Sequence, residues 1–274
     1  MPKRFCYFLI PLALALYVTA SAAASFIPAD DPRLGYSDYV RLAFIDSPLE
    51  PGRKIARFDR LVDIPGKGYQ WDNPGTRLRF RCDAASPVVL LYYNEKHVST
   101  SARNAKGMFL VDGKAEPAWT FTTIETKTVR APERVDVKMP PLAAGMHEYE
   151  IILPYGDSVD IVGVSAAEGA SFEKPAPRTA VRCACYGDSI THGFTASGIG
   201  GTYAFLLARE KNWQLVNFAL GGRSCSSADG EKVASLGCDQ VTLLIGVNDW
   251  QGGRPPAAFR ANIEGFLKGL RAAQ

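Results

Sequence analysis

In Tyr186–Gly193, YGDSITHG, a serine stands between an aspartate and a short β-branched stretch, with a histidine three residues on. A serine hydroxyl attacks an acyl carbon when a base takes its proton and fixed donors hold the oxyanion that forms. Two other positions carry suitable donors. Gly222, in NFALGGRS, has no side chain to keep a substrate from its backbone N–H, and Asn248, in GVNDW, offers a side-chain amide. Ser189 adds its own N–H at the start of a helix, where the dipole favours negative charge. Each residue alone has an ordinary use, as a helix cap or a turn residue, but three of them at successive strand ends favour acyl transfer. Losing one such donor costs on the order of 3 kcal/mol in the transition state.

The neighbours of these residues are read more plainly. His192 lies one helical turn from Ser189, but a base must meet the hydroxyl squarely and be held by a third group. Its expected role is that of a loop or cleft-lining residue. Asp188 and Asp249 are expected to hold their turns through local hydrogen bonds. In the Gly-rich DWQGGRP, Trp250, Gln251 and Arg254 stand near the site, as do Arg223 and Ser224 after Gly222. Trp250 and Arg223 are the possible substrate-binding residues, since an exposed tryptophan can stack on a sugar ring.

Several elements must bring these residues together. VRCACYG, WQLVNFAL and VTLLIG read as strands. GTYAFLLAREKN and PAAFRANIEGFLKGLRAAQ read as helices, the second with apolar residues at Phe259, Ile263, Phe266, Leu267 and Leu270. Tyr203 and Phe205 are expected to face the sheet. Strands alternating with helices argue for parallel pairing in an α/β domain, whose reactive residues gather at the carboxyl ends of the strands. Ser189, Gly222 and Asn248 follow three successive strands, so three loops converge on one spot.

Residues 39–166 differ. Short alternating runs such as TRLRFRCD, PVVLLYYN, GMFLVDGK and HEYEIILPYGD, separated by turn residues, point to an antiparallel β-sandwich. In RLRFRCD, Leu78, Phe80 and Cys82 alternate with Arg77, Arg79 and Arg81, and the arginines read as a solvated face rather than an anion-binding stripe. SFEKPAPRTA is a polar, Pro-containing connector. The expected organisation is a sandwich over 39–166, a linker over 167–180 and an α/β domain over 181–274.

The motifs carry a resemblance. GDSITHG resembles the first block of the SGNH, or GDSL-type, hydrolases, NFALGGRS the second and GVNDW the Gly-x-Asn-Asp third block, in matching order and spacing. The resemblance implies a flavodoxin-like α/β fold, Ser189 as nucleophile, and an oxyanion hole of the Ser189 N–H, Gly222 and Asn248. The β-rich region before it is similar to the jelly-roll domain that precedes the catalytic domain in some carbohydrate esterases, notably family two. The family's last block, Asp-x-x-His, supplies its general base, and these 274 residues contain neither that block nor any histidine after His192. The α/β domain is therefore expected to be incomplete at its carboxyl end, with VTLLIG short of neighbours and its apolar edge an aggregation hazard.

Composition bounds the partners. Of 31 lysines and arginines, Lys3 and Arg4 sit at the amino terminus, leaving 29 against 28 acidic side chains. That balance favours neither nucleic acid nor an anionic membrane surface. Lys3 and Arg4 precede the apolar run Phe5–Val18 and the small-residue exit TASAAAS, the pattern of a cleavable secretory signal peptide over residues 1–24. The run is short of the roughly 20 residues of a spanning helix, and Pro11 interrupts it. Export permits disulfides, and Cys225 with Cys238 is the pair to test first. Cys183 and Cys185 lie two apart on a strand and share a face. No metal or organic cofactor is called for. The expected protein is a secreted or periplasmic serine esterase that removes acyl groups, chiefly acetyl, from carbohydrate. The alternative is a non-catalytic carbohydrate-binding or interaction protein.

Overall fold

The structure is a computed structural model that describes residues 24–61, 72–93, 105–123 and 133–272. Except for Ala24, the expected signal peptide lies outside the described residues, as does His97. Two antiparallel sheets form the amino-terminal sandwich. The first runs β3 (Arg41–Asp46), β4 (Lys54–Asp59), β11 (Val159–Ala166), β6 (Val88–Tyr93), β9 (Arg134–Lys138), and β1 (Ser25–Pro28) also pairs with β11. The second runs β12 (Phe172–Glu173), β5 (Arg77–Cys82), β10 (His147–Ile152), β7 (Lys106–Val111), β8 (Thr120–Thr122), with β2 (Gly35–Ser37) paired to β5.

The sandwich extends beyond the expected 39–166 at both ends. Ser25 pairs with Ala166, and Phe172 and Glu173 pair with Cys82 and Arg81 inside the expected linker. The added strands are two to four residues long, too short to show a period of two in sequence. The alternation in β5 is real: Leu78, Phe80 and Cys82 are fully buried in the core between the sheets, where Phe80 stacks on Tyr149.

The arginine face of β5 departs from the solvated reading. Arg77 is buried and pairs with both Asp38 and Glu150, Arg79 pairs with Glu148, and Arg81 with Glu173. Arg178, from the connector, shares Asp38 and also donates to the Trp213 carbonyl. The second domain thus covers part of this face. The two carboxylates beside Arg77 offset the cost of taking its charge out of water.

The carboxyl-terminal domain has three described strands in the order β14 (Gln214–Asn217), β13 (Arg182–Gly187), β15 (Gln240–Leu244), all parallel. The first strand lies in the middle, so the chain leaves it once to each side, and its carboxyl end is a topological switch point where such sheets bind ligands. The helices are α1 (Ser189–His192), α2 (Tyr203–Glu210), α3 (Asp229–Ala234), α4 (Val247–Gln251) and α5 (Pro256–Ala272). α5 crosses α3 closely because Gly230 has no side chain: a Cβ there would run into the Phe266 carbonyl. Of the five apolar residues expected to bury α5, only Phe266 is fully enclosed, against Tyr186, while Leu267 is exposed. On its far side β15 has no partner strand among the described residues, and Leu244 is exposed.

The two domains share one apolar core. Met108, Leu110, Ile152 and Tyr155 of the sandwich pack with Cys183, Cys185, Phe205, Ala208 and Leu215 of the α/β domain. Phe205 thus faces the core as expected, and Tyr203 packs partly against it with its hydroxyl 2.7 Å from Thr191 Oγ1. Asp38, held at a φ of 62°, reaches across and accepts the Leu215 N–H at 2.5 Å. Cys183 and Cys185 both lie in this core, on one side of β13. Cys82, Cys183, Cys185, Cys225 and Cys238 are all free thiols, so the expected Cys225–Cys238 bond does not form.

Candidate active site

The central strand ends at Gly187, where the chain must pass close to a neighbour. A Cβ on Gly187 would fall 2.5 Å from the Leu244 carbonyl oxygen and closer still to Thr191 Oγ1. Asp188 then caps α1, its Oδ1 accepting the Ile190 N–H at 2.9 Å from an extended backbone. This is the local turn role expected of it, and it consumes the carboxylate that faces the helix start. Ser189 follows as the first residue of α1. It is half-buried, and its hydroxyl has no hydrogen-bond partner among the described residues.

The second loop leaves β14 at Asn217. The Asn217 side chain spans two motifs: Nδ2 donates to the Thr191 carbonyl of α1 at 2.9 Å, and Oδ1 accepts the Ala219 N–H at 3.2 Å. Leu220 N–H returns to the Gly187 carbonyl at 3.1 Å, and the chain then turns through Gly221 and Gly222 to an Arg223 N–H···O Leu220 bond. Gly222 sits at φ 77°, the conformation a type II turn needs at its third position. A Cβ there would meet nothing within 4 Å, so the turn, not crowding, demands glycine.

The third loop locks onto the second. Asn248 Nδ2 donates to the Arg223 carbonyl at 2.9 Å, one residue past Gly222. The structure therefore joins all three predicted donor positions through bonded loops: Ser189 to β14 through Asn217, and Asn248 to Gly222 through Arg223. Asp249 is not a local turn residue, as expected, but a brace between loops. It is buried, accepts the Cys225 N–H at 2.9 Å and pairs with Arg254 Nη1 at 2.8 Å, while Arg254 also donates to the Cys225 carbonyl.

Two further expectations sort differently. Trp250 stands out from α4, 78% exposed, free to meet a ligand. Arg223 does not. Its guanidinium is buried over the rings of Tyr186 and Phe218, donates to the Phe218 carbonyl and lies 3.9 Å from Asp229. Cation–π stacking and the nearby carboxylate hold it inward, as part of the loop's frame.

His192 is fully buried at the domain seam. Its Nε2 lies 3.3 Å from Asp72 Oδ2 and 3.4 Å from Arg60 Nη1, both from the sandwich, and its ring packs edge-on against Tyr155 and Phe194. No hydrogen bond joins it to Ser189. Burial, reinforced by the Arg60 charge, holds its pKa below the ordinary histidine value despite Asp72. His147, on the far sheet, binds Asp112. Arg60 and Asp72 were invisible to sequence reasoning because they lie more than a hundred residues upstream in loops without a motif.

Residues 185–274 match the GDSL-like Lipase/Acylhydrolase family. No curated protein matches the chain. Among solved structures, a salicylyl-acyltransferase from a tetracycline biosynthetic pathway superposes with a TM-score of 0.72 at 22% identity, covering 91% of this chain and 70% of that one. A family two carbohydrate esterase from Cellvibrio japonicus gives 0.60 at 15%, covering 92% and 76%. An acetyl xylan esterase from the rumen bacterium Butyrivibrio proteoclasticus gives 0.56 at 11%, covering 91% and 79%. These likenesses extend across both domains and agree in fold. The carboxyl-terminal part of this chain is thus similar in sequence to the GDSL-like lipase/acylhydrolase family, and the chain shares the fold of these solved structures across both domains.

Proposed function

We propose that the protein is an exported esterase that removes acyl groups, chiefly acetyl, from carbohydrate through an acyl-enzyme on Ser189. The observation that carries this reading is the coupling of the Ser189, Gly222 and Asn248 loops at the ends of three adjacent parallel strands. In the first half-reaction Ser189 Oγ bonds to the ester carbonyl carbon as its proton passes to a base. The carbonyl oxygen takes the negative charge among the N–H groups of Ser189 and Gly222 and the Asn248 amide. The C–O bond to the sugar then breaks, and the sugar oxygen leaves with a proton. Water repeats the sequence on the acyl-enzyme and releases the acid. Trp250, beside Asn248, offers a face on which a sugar ring can stack.

Among the described residues no histidine is bonded to the Ser189 hydroxyl, and His192 is committed to Asp72 and Arg60. That observation favours a second reading, in which the chain binds an acylated carbohydrate without cleaving it. The test is hydrolysis of 4-nitrophenyl acetate and of acetylated xylan by the purified chain and by Ser189→Ala. Turnover that disappears in the variant supports the esterase. Saturable binding to the polymer without turnover in either protein favours the binding reading.

A further inference from the structure

The loop that carries Gly222 leaves β14 through Asn217, Phe218 and Ala219, and every backbone polar group beyond the strand there is engaged. The N–H groups of Phe218, Ala219 and Leu220 go to the Cys185 carbonyl, Asn217 Oδ1 and the Gly187 carbonyl. The carbonyls go to two buried arginines. Arg223, of the same loop, donates to Phe218. Arg60 donates to the residues on either side: its Nε and Nη2 lie 3.3 and 3.2 Å from the Asn217 oxygen, and Nη2 also donates to Ala219.

Arg60 does not belong to the catalytic domain. It follows β4 of the sandwich and is 3% exposed. The same guanidinium meets His192, the last residue of the helix that Ser189 begins, and His192 is held in turn by Asp72, whose other oxygen accepts from Ser158 at 3.1 Å. One side chain of the sandwich therefore touches both the loop of the oxyanion glycine and the helix of the nucleophile. Burial draws the Arg60 pKa down to about 10, which leaves it charged at neutral pH. A buried charge is costly, and apolar packing alone would join two domains as well. A planar fork that bridges alternate carbonyls fixes a backbone in a way a lysine or an apolar residue does not.

We propose that Arg60 is a positioning residue for acyl transfer, through which the sandwich domain sets the geometry of the oxyanion loop. The inference rests on the reading of Ser189, Gly222 and Asn248 as an esterase site. The experiment compares Arg60→Met and Arg60→Lys with the unsubstituted chain by kcat and KM on 4-nitrophenyl acetate, thermal unfolding, and amide hydrogen exchange. Arg60→Met is expected to lower kcat by about a hundredfold with KM unchanged, as for a small misplacement of catalytic groups. Exchange should rise at Ala219–Arg223 while the amides of β13 keep their protection, and Arg60→Lys should recover part of kcat. Unchanged kcat with unchanged loop exchange would overturn the proposal. So would a loss that tracks unprotected β13 amides in both variants, which marks general unfolding. If Arg60→Met does not fold, Arg60→Lys alone decides by the same two measurements. An unsubstituted chain without turnover defeats the esterase reading and with it the role in acyl transfer, whereas turnover with unchanged kcat and loop exchange in the variants overturns the positioning role alone.

Discussion

Replacing Asp249 by alanine tests whether the loops that carry Gly222 and Asn248 are braced from behind. Asp249 is 3% exposed, and both of its oxygens approach the Cys225 N–H, at 3.2 and 2.9 Å. The alanine leaves that buried N–H unpaired, a cost of about 1–3 kcal/mol. It also removes the partner of Arg254, which is about a third exposed and keeps its bond to the Cys225 carbonyl, so that loss adds about 0.5 kcal/mol after solvent screening. The expected destabilisation is about 1.5–3.5 kcal/mol, or roughly 3–14 °C in Tm if the two domains, which share one core, unfold together. Urea denaturation followed by tryptophan fluorescence and calorimetry measures it. Asp249→Asn should recover part of the loss, since its carbonyl still accepts from Cys225. A change under about 0.5 kcal/mol in Asp249→Ala, the range of ordinary surface substitutions, would refute the claim that this carboxylate braces the loop.

Two further outcomes follow from the same packing. Gly187→Ala forces a methyl between Thr191 and the Leu244 carbonyl, so it is expected to cost about 1–3 kcal/mol by overpacking, read by chemical denaturation; a neutral substitution contradicts the close approach. Acid should weaken the fold through His192, whose folded pKa is depressed. As pH falls below about 6.5, the unfolded chain takes up the proton that the buried ring resists, so stability present above that value is lost. His147, raised by Asp112, has the opposite sign and loses its contribution as pH rises. The difference in Tm between pH 7 and pH 5 should therefore be smaller in His192→Asn than in the unsubstituted chain, and parallel slopes would count against the assignment.

What sequence could reveal followed the range of the interactions. The α/β pattern, the positions of β13, α2, β14 and β15, and the placement of Ser189, Gly222 and Asn248 after three successive strands were all legible, because period and motif are local. Asp188 was read correctly for the same reason: its bond runs two residues, to the Ile190 N–H. Arg223 and Asp249 were misread because their partners, Tyr186 and Cys225, come from other strands and loops that spacing does not relate to them. The arginines of β5 alternate as a wet face should, yet Asp38 and Arg178 enclose one of them, and only the docking of the two domains decides that. Arg60 and Asp72 meet His192 across more than a hundred residues, and neither residue type nor pattern marks them beforehand.

The central claim, that Ser189 takes the acyl group, is tested most directly by trapping the adduct. The chain is mixed with 4-nitrophenyl acetate, quenched in acid within the first turnovers, and its peptides are analysed by mass spectrometry. One acetyl group is expected on the peptide containing Ser189, absent from Ser189→Ala and depleted in Asn248→Ala. Acetylation of another residue, undiminished in Ser189→Ala, would contradict the account.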